Sequence, residues 1–195
     1  MSARRDPTTA GTSSREAFVS STAKLLRRQG YAATGLNEIV ARSGAPRGSL
    51  YFHFPGGKQE LALAAMEHSG EQLRGAIAAV MASPGGAART VGGLIDALAA
   101  GLEASGYRDG CPIATVTLEA AAGSEPVRLT AERVFSSWLS ELESALVAEG
   151  AEPEAARRRA MLVLAAAEGG LLLARAQRDT APLTAVRDEL QNLLA

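Results

Sequence analysis

The sequence predicts an all-α fold, and three observations carry that prediction. Apolar residues recur at three- and four-residue spacing along most of the chain. No run of alternating β-branched residues is long enough for a strand. Only 4% of the 195 residues are aromatic, while Ala and Leu abound, a composition that favours helices over sheets. A chain of this length buries a substantial core as one compact unit with a small module attached.

Residues 1–13 are polar, small and interrupted by Pro and Gly, and they read as a disordered arm. Two readings of Arg4 and Arg5 stand: a solvated tail without a role, and an arm that enters a minor groove. Ser13 or Ser14 caps a first helix that carries Phe18, Leu25 and Leu26 on one face and closes near Gly30. A short helix with Leu36, Ile39 and Val40 follows. Ser43-Gly44-Ala45 breaks it, with Gly44 supplying the positive φ of a reversal. Pro46 suits the first turn of a third helix, which runs to about Phe54 with Leu50 and Phe54 inward. Two short helices about a tight turn have helix-turn-helix geometry. Arg47, Gly48, Ser49, Tyr51 and His53 lie on the last of them, with Lys58 just beyond, and these are groups suited to a major groove and its phosphates.

A long helix from about Gly57 to Met81 carries Leu61, Leu63, Met66, Leu73, Ile77 and Val80. Twenty-five helical residues span on the order of 37 Å, enough to link the small module to the rest. Gly70 and Gly75 within it allow either a bend or close packing. Ser83-Pro84-Gly85-Gly86 ends it, and a helix near 88–105 follows with Val91, Leu94, Ile95, Leu98 and Leu102 in phase. After a turn at Tyr107–Gly110, Pro112 opens a short helix to about Ala122. Ser124 caps a longer one through about Glu149. A helix from about Pro153 to Arg178 is apolar nearly all round in its second half, so it needs cover on two sides. Its own domain covers one side and a second subunit the other, which assigns Leu164, Gly169 and Leu172 to a dimer interface. Leu190 and Leu193, on a last helix opened by Pro182, are assigned to the same interface.

Net charge is −1, but its division along the chain is uneven. Residues 1–58 hold nine Lys and Arg against three Asp and Glu, whereas residues 59–195 hold eleven against eighteen. The basic end is the one with the helix-turn-helix, as a phosphate-facing surface requires.

The residues Gly30-Tyr31, Thr34, Gly44, Leu50-Tyr51-Phe52-His53-Phe54 and Lys58 give the segment from about 14 to 70 its closest likeness. It resembles the DNA-binding signature of the TetR family of bacterial repressors. Gly110-Cys111-Pro112-Ile113-Ala114 and Glu168–Arg175 are similar to the LmrA/YxaF-like branch. Two departures stand out. Gly35 occupies a position where Ser or Thr is usual, leaving Thr34 as the cap and phosphate donor. The Phe54–Lys58 connection is one residue longer than usual.

The resemblance implies a DNA-binding domain at 14–56 and a ligand-binding and dimerisation domain at 57–195. It further implies a homodimer on near-palindromic double-stranded operator DNA, and release by a small hydrophobic or aromatic effector. Met66, Leu98, Phe135 and Trp138 would line the effector's cavity, and Glu119 or Glu168 would orient a polar group on it. The rival reading is an all-helical interaction adaptor without DNA binding.

Other classes find little support. One Cys and two His supply no zinc-site spacing. Gly56-Gly57-Lys58 lacks the first Gly and the Ser/Thr of a phosphate loop. No catalysis, cofactor or metal is therefore expected. Cys111 reads either as a small buried residue or as a redox sensor at a helix N-terminus. No signal peptide is evident, and Ala160–Ala174 is short of the ~20 residues of a bilayer span, so a soluble cytoplasmic protein is expected.

Overall fold

The computed structural model describes residues 13–82 and 85–195. The arm at residues 1–12, with Arg4 and Arg5, and the Ser83-Pro84 pair lie outside the described residues. Among those described there are nine helices and no strand. They are α1 (Ser14–Ala33), α2 (Leu36–Ser43), α3 (Arg47–His53), α4 (Gly57–Met81), α5 (Gly86–Ala104), α6 (Pro112–Ala120), α7 (Glu125–Ala148), α8 (Pro153–Gln177) and α9 (Ala181–Leu194).

The helix ends follow from local chemistry. Ser13 and Glu16 form a reciprocal capping box: the Ser13 hydroxyl accepts from the Glu16 N–H at 3.2 Å, and the Glu16 carboxylate accepts from the Ser13 N–H at 2.9 Å. Such a box satisfies two donors that a helix start leaves free. Gly44 closes α2 at φ 65°. Proline stands in the first two positions of α6, α7, α8 and α9, where its missing N–H costs nothing. Two expectations are corrected. Gly30, at φ 78°, kinks α1 without ending it, and the helix resumes to Ala33. Pro46 is the residue before α3, not its first helical position.

Two cores form. Phe18, Val19, Leu25, Ile39, Leu50, Phe54 and Leu61 make the smaller one, with the Phe18 and Phe54 rings edge-on at 6.5 Å. Each such side chain contributes roughly 1.5–3 kcal/mol by leaving water. The larger core joins α4 to α9 and takes Ala23 and Leu26 from the other face of α1. α1 and α4 therefore belong to both cores, and they fix the three-helix head to the body. The Trp138 indole N–H donates to the Gly70 carbonyl at 2.9 Å. A Cβ on Gly70 would come within 2.7 Å of Val134, so Gly70 serves the close approach of α4 and α7.

Candidate nucleic-acid interface and ligand cavity

α3 is anchored from inside by Leu50 and, at its end, by Phe54, both fully buried. At about 100° per residue, Gly48 and Phe52 lie opposite Leu50 and Phe54, with Tyr51 and Arg47 at the edge of that outer face, and all four are exposed. Phe52 is 83% exposed and Tyr51 58%. Phe52 is not among the contact residues expected from the sequence. Its four-residue step from Gly48 was the available signal. Ser49 is half-buried and its hydroxyl donates back to the Pro46 carbonyl at 2.7 Å. His53 is half-buried with its ring edge-on to Phe52 and Phe54.

α2 is held against α1 by Glu38, which accepts from the Gln29 amide at 2.9 Å and from Arg42 at 3.0 Å. The Gln29 hydrogen bond, then Arg42, keep the Glu38 carboxyl below its usual range. The Lys58 amine donates to the Ala32 carbonyl at 3.3 Å and lies 4.5 Å from the Tyr31 ring centre. That places Lys58 where the ends of α1 and α4 meet, beside α3 but not on it. Thr34 is corrected: its hydroxyl is buried and donates to the Gly30 carbonyl at 2.6 Å. The residue before α2 is Gly35, with no side-chain cap. Thr34 thus secures the turn after the α1 kink and presents no hydroxyl to a phosphate.

A cavity of about 460 Å³ opens among α4, α5, α7 and α8, and Arg27 of α1 reaches its lining. Three expected residues, Leu98, Trp138 and Glu168, line it. The other three are corrected. Met66 is wholly buried in the larger core, and Phe135 packs edge-on against Trp138 at 5.4 Å, outside the lining. Glu119 is on the side of α6 that faces α1, where its carboxylate accepts the Ala32 N–H at 2.7 Å. The Gly110 N–H donates to the Arg27 carbonyl at 3.0 Å, and Arg175 donates to the Arg28 carbonyl at 3.2 Å. The body thus grips the last turns of α1 at three backbone groups.

Ser69, Cys111 and Glu168 are polar members of the cavity wall. The Cys111 sulfur accepts from the Ala114 N–H at 3.4 Å and caps α6. Burial first, and then the Glu168 charge, push its thiol far above the ordinary range. A thiol so protonated is a poor redox sensor, which favours the packing reading of Cys111. Burial also raises the Glu168 carboxyl, while its hydrogen bond with Cys111 works the other way. Among the described residues no three His, Cys, Asp or Glu side chains gather as a metal ion would require.

Residues 18–65 match the family model described as bacterial regulatory proteins, tetR family. Residues 87–189 match the one described as transcriptional regulator LmrA/YxaF-like, C-terminal domain. The chain belongs to the TetR family. Relatives include the uncharacterized HTH-type transcriptional regulator Rv0196 of Mycobacterium tuberculosis, 37% identical over 92% of this chain and 93% of that protein. The HTH-type transcriptional regulator LmrA of Bacillus subtilis is 34% identical over 93% of this chain and 96% of its own. Among solved structures, a TetR regulator from Chloroflexus aurantiacus is 28% identical with TM-score 0.74, covering 92% of each chain. One from Legionella pneumophila shares the fold at TM-score 0.86 and 19% identity, over 96% of this chain and 100% of that one.

As a TetR-family transcriptional regulator, the chain has its helix-turn-helix in α2 and α3. The outer side of α8 carries an exposed apolar stripe. Met161, Leu162, Leu172 and Leu173 are exposed there, together with Ala165 and Gly169. Leu172 is 63% exposed, and Leu193 on α9 is also exposed. Two expected interface residues are corrected: Leu190 is 4% exposed inside its own core, and Leu164 is half-buried and lines the cavity. By length and composition α8 is also the one described helix able to cross a membrane. Its inner face, including Ala156, Ala160, Val163 and Ala174, is buried in the larger core.

Proposed function

We propose that the chain is a homodimeric repressor that binds a near-palindromic operator and leaves it when a small, largely apolar effector enters the body. Residues 14–56 are the DNA-binding domain and residues 57–195 the effector-binding and dimerisation domain, working without metal or cofactor in the cytoplasm. Arg47 reads base edges, Gly48 lets the α3 backbone approach the groove, and Tyr51, His53 and Lys58 hold phosphates. The α8 stripe and Leu193 pair two copies, and a second α8 is the occupant in place of lipid. This sets the two α3 helices about one DNA turn apart, ~34–36 Å.

The observation that carries this reading is the cavity. Its wall includes Arg27 of α1 and residues of α4, the two helices shared by head and body. An effector shifts the dimer only through unequal affinity for its two forms, and a site touching both shared helices supplies that difference. Selection from a random duplex pool tests the proposal. The expected product is a two-fold-symmetric site with half-sites one turn apart, bound by a dimer. Retention of no duplex at low salt would leave the interaction-adaptor reading in its place.

A further inference from the structure

A buried hydroxyl and a half-buried carboxylate stand in the wall of the same cavity, the first without a hydrogen-bond partner and the second with only a thiol. Ser43, Ser49, Ser105 and Ser137 each donate to a carbonyl three residues back. Ser69 on α4 is 5% exposed, and its hydroxyl has no hydrogen-bond partner. Buried polar groups are satisfied as a rule, so such an exception needs an explanation. Glu168 on α8 has the Cys111 thiol as its side-chain partner, and a thiol is a weak donor. The charged residues of the wall are Arg27, Asp109 and Glu168, one cation against two anions. Arg27 is exposed and is not among the groups that act on the Glu168 carboxyl. A desolvated carboxylate without a cation is costly, and a cation delivered to it is correspondingly favoured.

The two groups are on different walls. α5 and α7 each pack against both α4 and α8, and the cavity occupies the space they enclose. A single molecule reaching Ser69 and Glu168 must therefore cross an apolar interior bounded by Leu98, Trp138 and Leu142. We infer that the cavity takes a lipophilic amine: an apolar, ring-containing body with a protonated nitrogen against Glu168 and a hydroxyl or carbonyl oxygen against Ser69. A volume of about 460 Å³ lies within the range of sites for drug-sized molecules, roughly 300–1,000 Å³. This inference rests on reading the cavity as the effector site, and it adds the chemical class of the occupant.

A matched series of probes tests it on the full chain by titration calorimetry. 4-Phenylbenzylamine, 4-phenylbenzyl alcohol and 4-phenylbenzoate share one apolar body and differ in the head group. The amine is expected to bind at least tenfold more tightly than the alcohol, and the benzoate most weakly. Glu168→Gln should bring amine and alcohol within about threefold of each other. Adding a 4′-hydroxyl to the amine should strengthen binding to the parent protein but not to Ser69→Ala, an arm that stands even if Glu168→Gln folds poorly. Equal binding of the three heads, binding of none, or an amine preference that survives Glu168→Gln would overturn the inference. If the amine binds as expected but leaves DNA retention unchanged, the cavity chemistry stands and the effector-responsive reading falls.

Discussion

At the scale of single residues, two side chains with charged heads do opposite jobs. Arg47 is solvated, and in the proposed reading its partner is a base edge of the operator. On a specific site, Arg47→Ala is expected to cost about 1–3 kcal/mol and to relax base preference where it docked. Binding assays on the selected operator and on unrelated duplexes check this, and an equal loss on both would reassign Arg47 to phosphate. Glu168 is the reverse case, a carboxyl that burial lifts above its ordinary value. A group whose folded pKa is raised favours the fold below its unfolded pKa, and that benefit is lost as pH climbs through the folded one. Glu168→Gln, which does not titrate, should therefore melt higher than the parent at neutral pH, by about 2–4 °C if the relief is roughly 1 kcal/mol. The difference should fade as pH drops below the ordinary carboxylate range. A gain independent of pH would show that packing, not charge, sets it.

At the scale of elements, the chain's punctuation made the helices legible, and the partner of each face was harder to read. Gly44, Pro112, Ser124, Pro153 and Pro182 act through local backbone chemistry, so each boundary can be read within a few residues of where it falls. Leu50 and Phe54 also announce themselves, because a short helix has one inward side. α9 has one apolar stripe with Leu193 at its outer edge. Leu183, Val186, Leu190 and Leu194 follow helical spacing, and Leu183 and Leu190 are buried in the chain's own core, whereas Leu193 faces out. Periodicity finds such a stripe but does not say which of its members meet the chain's own core. The same holds for α8, where Leu164 turns inward and Leu172 outward. Leu172→Arg tests the outward assignment. It should split the dimer in sedimentation with little loss of helix content, since a side chain already 63% exposed gives up little core packing. An intact dimer would move the interface to another face.

At the scale of the whole molecule, the decisive contacts join residues far apart in sequence, which is why no local pattern disclosed them. Glu119 and Ala32 are 87 positions apart. Gly30 makes their meeting possible, because a Cβ there would stand 1.8 Å from a Glu119 oxygen. The kink at Gly30 frees the Ala32 N–H from the helix ladder, and the helix end leaves the Gly30 and Ala32 carbonyls without intrahelical partners. The Ala32 N–H goes to Glu119 of α6, the Ala32 carbonyl to Lys58 of α4, and the Gly30 carbonyl to Thr34. One short stretch therefore collects ties from the body, the connecting helix and the head. α6 begins at Cys111 and Pro112, both in the cavity wall, so an occupant there touches one end of the helix whose other end holds α1. Coupling between two sites is a free energy, and it must appear equally in either direction. Glu119→Ala should leave operator binding and 4-phenylbenzylamine binding each within a few-fold of the parent. It should shrink the effect of either ligand on the other, from the 5–150-fold typical of coupled sites toward unity. Fluorescence anisotropy of labelled operator with and without the amine, and amine titrations with and without operator, measure both directions. Undiminished coupling in both would mean that α4, through Ser69 and its root in the head core at Leu61, carries the change alone.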